Sequence, residues 1–529
     1  MYASCANSFG MVVAMAHSYN LPRQMIKWQA PMCMNNTAPL PCRLYRAEQV
    51  RAMDRYAIEE LRIPGIELMR RAGMAAFAAL RWRWPDAKTL SVVCGSGNNG
   101  GDGYVLARLG LEAGMDVRVY ALAAPEKLHG EALVAYQEYR AFDGPLLDYV
   151  PADFEGAHVL VDGLLGTGLD REVKGLYAEV IRGMNRFGGG VLALDIPSGL
   201  HANTGHALGD AVKADCTVSF IGLKQGLFTC DGPEYCGEVI FNDLGSSFAE
   251  QSGQPTSAWL LPPWQSGLAV RPRSANKGDF GHVLVVGGAP GFCGAARMAA
   301  ESAARVGAGL VSLATHPIHA ALMNIGRPEL MCHAVSNADE LRPLLARATV
   351  VAVGPGLGLG QAGWGRELFE AVQDSGLPLV VDADALTLLA LAPQKRDDWV
   401  LTPHPGEAAR LLQTSSRVIQ ADRFAAIAAL RERFGGTVVL KGSGSLILGS
   451  SKAEPSICTQ GNPGMASGGM GDVLTGVITG LLAQGLDYGQ AAEIGVRLHA
   501  AAGDKAAEAG ERGLLAGDLM SWLRKLINQ

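Results

Sequence analysis

The sequence lacks the patterns that would indicate a secreted, membrane or nucleic-acid-binding protein. Its 10 cysteines include no Cys-x-x-Cys pair and no regular spacing, so neither a disulfide framework nor a structural zinc site is expected. No apolar run reaches the ~18 residues that a membrane helix needs. The chain has 45 basic and 51 acidic residues, and without a basic run it offers no patch for nucleic acid. We therefore expect a cytoplasmic protein with reduced thiols, and neither nucleic acid nor membrane as partner.

Glycine and small apolar residues are abundant instead. The 529 residues include 67 glycines, and 48% of the chain is hydrophobic, a composition typical of α/β domains with glycine-rich turns. At ~150 residues per domain the length predicts roughly two to four folding units. The apolar composition is compatible with a homo-oligomer but does not specify one.

Short β-type runs alternate with helical stretches in two series, residues 89–221 and 282–440. Ser, Gln and Pro accumulate between the series and indicate a boundary. We predict an extension over residues 1–42, a first domain over 43–245, a linker over 246–270 and a second domain over 271–529. The alternation predicts a parallel sheet covered by helices in each domain. The extension has no clean signal-peptide pattern, so we expect a disordered segment or an early start codon.

A glycine-rich turn follows the first predicted strand of the first domain, CGSGNNGGDGY at residues 94–104. Its glycines match G-x-G-x-x-G, with Glu126 as a candidate ribose ligand, and this favours a dinucleotide. An ordinary strand-to-helix turn would explain the glycines equally well. Asn98, Asn99 and Asp102 add polar groups that a redox fold does not need there, which indicates substrate or ion coordination.

Two further polar clusters follow later strands of the same series. VDGLLGTGLDRE (161–172) begins with Asp162, and ALDIPSGL (193–200) contains Asp195 and Ser198. A single Asp at such a place is usually a cap or a turn residue. Three clusters at successive strand ends, where open α/β sheets bind ligands, instead predict one site.

The motifs NNGGDG, DGLLGTGL and LDIPSG, in this order, resemble the epimerase domain of the NAD(P)H-hydrate repair family over roughly residues 44–244. The resemblance implies a Rossmann-like three-layer fold in which Asp195 acts at the reacting carbon. It implies a potassium ion held by Asn99, Asp162 and Ser198. It also implies a binding set for the dinucleotide hydrate: Asn98, Asn99, Gly100, Gly101, Asp102, Gly166, Thr167, Gly168, Leu169, Asp170, Arg171, Glu172 and Asp195.

The strongest motif of the second domain is GNPGMASGGMGD, residues 461–472. Residues 468–471 should form a backbone anion site at the start of a helix, with Asp472 in its first turn. An acid there is usually a stabilising cap, but the glycine crowding exceeds what a cap requires. KGSGS (441–445) offers a cation and backbone donors for phosphates without P-loop spacing. His404, between two prolines, either caps the next helix or contacts a ligand.

The string NPGMASGGMGD, with TPHPGE and NKGDFG, resembles the ADP- or ATP-dependent NAD(P)H-hydrate dehydratase domain, a ribokinase-like α/β fold, over about residues 259–523. The resemblance implies that Asp472 deprotonates the hydroxyl of the S hydrate, which is phosphorylated and leaves as phosphate. It implies ADP or ATP as co-substrate, with Mg²⁺. Nucleotide would be held by Lys441, Gly442, Ser443, Gly444, Ser445 and Gly471, and hydrate by Cys293, Gly294, Gly356, His404 and Asp472.

Together the two domains predict a bifunctional repair enzyme for hydrated NADH and NADPH, which interconverts the R and S hydrates and then dehydrates the S form. Three alternatives stay open. A small-molecule kinase with an accessory domain would accumulate a phosphorylated product, a nucleotide sensor would not turn over, and a dehydrogenase would need a hydride acceptor site that the second domain does not suggest. The sequence does not distinguish ADP from ATP or NADH from NADPH hydrates.

Overall fold

The computed structural model describes residues 39–150, 154–245, 248–265, 268–360, 363–449 and 451–529. Most of the predicted extension, residues 1–38, lies outside them. The described chain forms two sheets of 7 and 11 strands, both covered by helices, so the predicted α/β class is confirmed. Among the described helices, none combines the length and apolarity required to cross a membrane.

The first domain begins with strand β1 (Arg43–Leu44) and helices α1 (Ala47–Glu59) and α2 (Gly65–Arg83). The apolar periodicity of residues 46–61 predicts one amphipathic helix with Val50, Met53, Ala57 and Leu61 on one face. Val50, Met53 and Ala57 are buried as this pattern predicts. Leu61 is exposed because α1 ends two residues before it.

The 7-stranded sheet has the order β4-β3-β2-β5-β6-β7-β8 with every pair parallel. The chain leaves β2 toward one edge and continues from β5 toward the other, so a ligand crevice is expected between the carboxyl ends of β2 and β5. The strands are β2 (Thr89–Cys94), β3 (Asp116–Ala121), β4 (Leu146–Leu147), β5 (Val159–Gly163), β6 (Gly190–Leu194), β7 (Cys216–Phe220) and β8 (Glu238–Asn242); the helices are α3 (Asn98–Glu112), α4 (Gly130–Ala141), α5 (Leu176–Asn185) and α6 (Gly232–Tyr235).

The second domain carries the larger sheet. The elements that follow β8 along the chain are α7 (Phe248–Gln251), β9 (Ala258–Leu260), β10 (His282–Val286), α8 (Cys293–Arg305), β11 (Leu310–Thr315), α9 (Pro317–Ala320), β12 (Met331–Ala334), α10 (Ala338–Leu345), β13 (Val350–Val353), α11 (Trp364–Gln373), β14 (Leu379–Val381), α12 (Ala383–Leu391), β15 (Trp399–Leu401), α13 (Pro405–Leu412), α14 (Ser416–Ala421), α15 (Arg423–Phe434), β16 (Thr437–Leu440), β17 (Ser445–Leu448), β18 (Ser456–Cys458), α16 (Met470–Ala483), α17 (Tyr488–Ala507) and α18 (Leu519–Leu526).

The strand order of this sheet is β1-β9-β18-β17-β16-β15-β14-β13-β10-β11-β12. Its order reverses between β10 and β13, and β14, β15 and β16 follow in parallel on the far side. Helix α16 is buried along almost its whole length. It packs closely on α8, since a Cβ at Gly476 would lie 2.0 Å from the carbonyl oxygen of Ala299.

The predicted linker, residues 246–270, is not a free connection. It contains helix α7 and strand β9, which pairs parallel with β18 and antiparallel with β1. Strand β1, at the start of the first domain, therefore extends the sheet of the second. One apolar cluster includes Leu44 and Phe228 of the first domain together with Leu440 and Leu446 of the second. The domains share a core at this boundary.

Candidate active sites

A pocket of about 580 Å³ opens at the carboxyl ends of β2, β5 and β6, where the strand order of the first sheet reverses. Its walls bring together most of the residues that the sequence motifs nominate for the hydrate. These are Asn98, Asn99, Asp102, Gly166, Thr167, Gly168, Leu169, Asp170, Arg171 and Asp195.

Three nominated residues do not line this pocket. Gly100 and Gly101 lie in the first turn of α3, where a Cβ would come within 2.2 Å of the Gly95 carbonyl oxygen or 2.5 Å of Met69. Close packing is therefore sufficient to explain both glycines. The side chain of Glu172 turns outward, with 60% of its area exposed, and pairs with Lys174 at 2.8 Å.

Asp195 adopts a left-handed backbone conformation, φ +64°. Such a conformation is uncommon for a residue other than glycine and is often found at functional sites. The turn directs its carboxylate toward two donors, the backbone N–H of Phe220 at 3.2 Å and the ammonium of Lys224. Lys224 is fully buried and also donates to Ser219 Oγ and to the Phe220 carbonyl oxygen. The pocket thus contains a carboxylate–ammonium pair.

Sequence reasoning missed Lys224. The available signal is a single cation in the apolar run IGLKQGLF directly after a strand, since a lysine is almost never fully buried without a partner.

Further carboxyl groups face the same pocket. Burial raises the pKa of Asp102 well above its ordinary value, and the nearby Asp195 and Asp54 raise it further. The pKa of Asp54 is raised by burial and then by Glu131 and Asp195. Asp54 and Glu131 come from helices α1 and α4, so no strand-end rule identifies them. Carboxyl groups with raised pKa values can donate hydrogen bonds and exchange protons with a substrate hydroxyl.

The three residues nominated for potassium lie together, with Asn99 in the pocket wall and Asp162 and Ser198 buried behind it. Ser198 donates from Oγ to Asp162 Oδ1 at 2.6 Å and from its backbone N–H to Asp162 Oδ2 at 2.7 Å. Asn99 Nδ2 donates to the Leu165 carbonyl oxygen at 2.8 Å. Among the described residues, the buried Asn99 Oδ1 has no hydrogen-bond partner. A buried oxygen without a donor, beside a hydroxyl, a carbonyl and a carboxylate, fits a monovalent cation.

Burial raises the pKa of Asp162 to about 6, against the hydrogen bonds from Ser198 and Leu164. A bound cation would favour the ionised form of this carboxyl.

In the second domain Asp472 lies in the first turn of α16, after Gly468, Gly469 and Gly471. Burial and then the charge of Asp382 raise the pKa of Asp472 to about 7, against the opposing charge of Lys441. A carboxylate with a pKa near neutrality is suited to act as a general base.

Lys441 links this carboxyl to residues that the motifs did not nominate. Its ammonium lies 2.7 Å from Asp382 Oδ1 and 3.8 Å from Glu407 Oε2. The second oxygen of Asp382 accepts from Thr475 Oγ1 at 2.7 Å. A Cβ at Gly471 would lie 3.2 Å from Lys441 Nζ, so the bare glycine leaves space for the ammonium. Asp382, Thr402 and Lys441 directly follow the neighbouring strands β14, β15 and β16, which collects them at one edge.

Asp382 was detectable in the sequence. It ends the apolar run LVVD, and the strand-end rule that nominated Asp162 and Asp195 applies to it equally. Glu407 carries a weaker signal, since it stands in the TPHPGE motif as a helix-capping acid.

Cys293, Gly294 and Gly356, three of the residues nominated for the hydrate in the dehydratase, lie after strands β10 and β13, between which the strand order reverses. The carbonyl oxygen of Gly356 accepts from the N–H groups of Gly288 and Ala289, at 2.9 and 2.7 Å. Gly356 has φ +57°, and a Cβ there would lie 2.4 Å from the Phe292 carbonyl oxygen. Cys293 and Gly294 follow directly as the first turn of α8.

His404 caps helix α13, as the simpler of its two interpretations predicts. Its Nδ1 accepts from the N–H groups of Gly406 and Glu407, at 3.0 and 3.3 Å. The ring keeps 51% of its side-chain area exposed, with Nε2 3.4 Å from Glu407 Oε1. Burial and the charge of Lys441 lower its pKa, so the neutral imidazole is favoured and a ligand contact through Nε2 stays open.

The other residues nominated for nucleotide, Gly442, Ser443, Gly444 and Ser445, form the turn between β16 and β17. Ser445 Oγ donates to the Gly442 carbonyl oxygen at 2.9 Å. The N–H of Cys230 and the hydroxyl of Thr229, both from the first domain, bind the carbonyl groups of Ser443 and Gly444. The turn is thus held partly by the other domain.

One group of side chains in the described chain has the spacing of metal ligands: His206, Cys230 and Asp231, whose donor atoms lie within 4.8 Å of one another. Each already has a protein partner. Asp231 Oδ2 contacts His206 Nδ1 and accepts from the Ala207 N–H, and Cys230 Sγ donates to the Gln420 carbonyl oxygen. These contacts account for the cluster without an ion.

Comparison with known proteins gives two family matches. The family described as NAD(P)H-hydrate dehydratase matches residues 283–525, and the family described as YjeF-related protein N-terminus matches residues 65–226. The bifunctional NAD(P)H-hydrate repair enzyme Nnr of Coxiella burnetii is 51% identical over 92% of this chain and 99% of its own length. The enzyme of the same name from Escherichia coli is 41% identical over 93% and 95%.

Among solved structures, the ADP/ATP-dependent NAD(P)H-hydrate dehydratase of Bacillus subtilis, co-crystallised with ATP and Mg²⁺, is 26% identical. It covers 49% of this chain and 94% of its own, with a TM-score of 0.44.

Proposed function

Because the chain belongs to the family of bifunctional NAD(P)H-hydrate repair enzymes, we propose that the two sites described above act in sequence on hydrated NADH and NADPH. The chain has an epimerase domain and an ADP- or ATP-dependent dehydratase domain, for which we propose the bounds 43–245 and 271–529. The epimerase interconverts the R and S hydrates, and the dehydratase returns the S hydrate to NAD(P)H with release of phosphate.

The observation that carries the dehydratase assignment is the neighbourhood of Asp472. Its pKa is raised to about 7, so near neutral pH it can accept the proton of the hydrate's hydroxyl as the phosphoryl group arrives. Residues 468–471 lead into the first turn of α16, whose free N–H groups are suited to stabilise negative charge on the transferring group. Hydroxide is a poor leaving group and phosphate a good one, so phosphorylation allows the ring nitrogen to expel the oxygen and restore the reduced nicotinamide.

Lys441 and its partners serve the nucleotide. We assign Lys441, Gly442, Ser443, Gly444, Ser445 and Gly471 to nucleotide binding, and Cys293, Gly294, Gly356 and His404 to the hydrate. Asp382 and Glu407 supply carboxylate oxygens of the kind that Mg²⁺ prefers, and the ion would neutralise charge on the phosphates when bound. The same carboxylates also contact the ammonium of Lys441 and hold it in place.

In the epimerase site the reacting carbon bears both a hydroxyl and the ring nitrogen, whose lone pair helps the C–O bond to open. Asp195 acts as a proton shuttle while the C–O bond forms again on the other face of the ring. Lys224 orients the Asp195 carboxylate through a direct ion pair. Asn99, Asp162, Ser198 and the Leu165 carbonyl would hold potassium, whose charge would stabilise the ionised form of Asp162. We further propose a cytoplasmic location, which the free thiols of the described cysteines support.

Recovery of near-ultraviolet absorbance tests both activities together. A sample of NADH hydrate that contains both epimers is incubated with the chain and ADP or ATP, and phosphate is measured in parallel. We expect full recovery of the reduced-nicotinamide signal, recovery of only the S fraction with Asp195→Ala, and no recovery with Asp472→Asn. No recovery by the parent with either nucleotide, and a stable phosphorylated product instead, would indicate a small-molecule kinase.

A further inference from the structure

The turn between β16 and β17, residues 441–445, is called here the nucleotide loop. Its far side rests on residues 228–231 of the first domain, called the support segment. The N–H of Cys230 donates to the Ser443 carbonyl oxygen at 3.2 Å. Cys230 has φ +58°, a strained conformation for its residue type, which persists only where the surroundings hold it. The support segment is therefore locked against the loop.

Thr229 makes the central contact of this interface. Its hydroxyl accepts from Arg423 Nε at 3.1 Å and donates to the Gly444 carbonyl oxygen at 2.9 Å. The side chain is fully buried, so water cannot replace either bond. One hydroxyl of the first domain thus connects a cation and the nucleotide loop of the second.

Arg423 lies directly beneath the loop and is also fully buried. Its guanidinium donates to the carbonyl oxygens of Leu440 and Lys441, at 3.1 and 3.3 Å, and to Gln420 Oε1 at 2.8 Å. In the described chain these partners and Thr229 are all uncharged. Burial lowers the pKa of Arg423 to about 10, so the group stays charged at neutral pH. Because no charged side chain pairs with Arg423 in the described chain, its positive charge favours binding of an anion on the opposite side of the nucleotide loop.

The glycines of the loop match this support. Gly444 has φ +60°, and a Cβ there would lie 2.0 Å from the Phe228 carbonyl oxygen. A Cβ at Gly442 would lie 2.9 Å from Arg423 Nη1. Both positions therefore need glycine because Phe228 and Arg423 approach so closely, independently of any phosphate.

We propose that Thr229 and Arg423 are positioning residues for nucleotide binding, so that the first domain completes the nucleotide site of the second. This inference rests on the assignment of residues 441–445 to the phosphates. Thr229 fixes the Gly444 carbonyl and the Arg423 side chain, Arg423 fixes the carbonyls of residues 440 and 441, and Lys441 is thereby held at Asp382. Loss of the Thr229 hydroxyl should loosen the loop and weaken nucleotide binding more than it slows the chemical step.

Thr229→Val tests this, because valine keeps the shape and removes the hydroxyl. We expect the KM and the Kd for ADP and ATP to rise about tenfold, with kcat lowered less than threefold. Thr229→Ser retains the hydroxyl and should restore the KM to near the parent value. Arg423→Lys keeps the charge but cannot reach all four hydrogen-bond acceptors of Arg423, so it should also raise the nucleotide KM. This variant replaces Thr229→Val in the test if Thr229→Val does not fold.

Thr217→Val is the matched control. Thr217 is another fully buried threonine of the first domain, and its hydroxyl donates to the Cys236 carbonyl oxygen at 2.7 Å, away from the loop. This variant should lose thermal stability to a similar extent and keep the nucleotide KM. Equal nucleotide KM and Kd in Thr229→Val and Thr217→Val would overturn the proposal and reduce the interface to a structural contact. A parent chain that binds neither ADP nor ATP by calorimetry would refute the proposed function instead.

Discussion

The rate of dehydration should fall at acidic pH in step with protonation of Asp472. Burial and Asp382 raise the pKa of this carboxyl to about 7. A general base acts only when ionised, so kcat/KM should be constant well above pH 7 and fall as the pH drops through it. One unit below the pKa only about one-tenth of the base is ionised, so the rate should fall about tenfold there, and about a hundredfold one unit lower.

The pH at which kcat/KM falls, called here the acidic limb, discriminates between a buried aspartate and a solvated one as the general base. A solvated aspartate titrates near 3.9 and would leave dehydration unaffected between about pH 5 and 8. A displacement of about three units corresponds to about 4 kcal/mol of preference for the neutral carboxyl. Burial is the largest contribution to this preference, and the charge of Asp382 is the next.

Asp382→Asn removes that charge. The acidic limb should move to lower pH, because Lys441 then lowers the pKa of Asp472 with less opposition, while the nucleotide KM rises as Lys441 loses its partner. Asp339→Asn is the charge-matched control, since this side chain is 83% exposed and should leave the profile unchanged. The assay is the initial rate of absorbance recovery at saturating nucleotide and varied hydrate, corrected for spontaneous loss of substrate at each pH. Two results would refute this account of the base. One is a parent enzyme whose kcat/KM falls only below about pH 5. The other is an Asp382→Asn variant whose kcat/KM falls at the same pH as that of the parent.

Three further variants test other parts of the structure. With Lys224→Met, recovery from mixed hydrates should stop at the S fraction, because Asp195 loses its ion pair. Pure S hydrate should still be consumed at the parent rate. Loss of the epimerase and dehydratase activities together would indicate misfolding. Replacing potassium by a large organic cation should slow epimerisation in the parent, and Asn99→Ala should abolish this dependence; a rate insensitive to the cation contradicts the proposed ion site. Gly476→Ala should lower the free energy of unfolding by about 1–3 kcal/mol or more, because its Cβ would meet the Ala299 carbonyl at 2.0 Å; calorimetry checks this against Gly517→Ala, whose Cβ meets no atom within 4 Å.

The sequence predicts those parts of the site that follow strands. Asp162 and Asp195 were identified because parallel strands deliver their carboxyl ends to one edge of a sheet, and Asp382 obeys the same rule. Asp54 and Glu131 were not identified, since they project into the pocket from helices whose packing angle no local pattern encodes. Lys224 was missed for a related reason. Its buried position is accompanied by an ion pair with Asp195, 29 residues away in sequence, and such a contact is a tertiary property.

The domain boundary shows the same limit at a larger scale. Composition predicts a boundary at residues 246–270, but it does not reveal that β9 lies within this range or that β1 pairs with it. Pairing between segments over two hundred residues apart leaves no periodic signature in either one. Two-residue strands such as β1 also fall below the length at which alternation can be recognised.

This shared boundary bears on why the two activities occupy one chain. A fused epimerase supplies the S hydrate to its neighbour, but supply alone would require only a tether. Strand β1 instead completes the edge of the second sheet, and Tyr45, the residue after it, exchanges backbone hydrogen bonds with the turn that carries Lys224. Five residues beyond Lys224, Thr229 binds the nucleotide loop. The same stretch of the first domain thus carries a residue of the proposed epimerase site at one end and the proposed support of the nucleotide loop at the other. A flexible tether would not require this arrangement, whereas a shared core explains it.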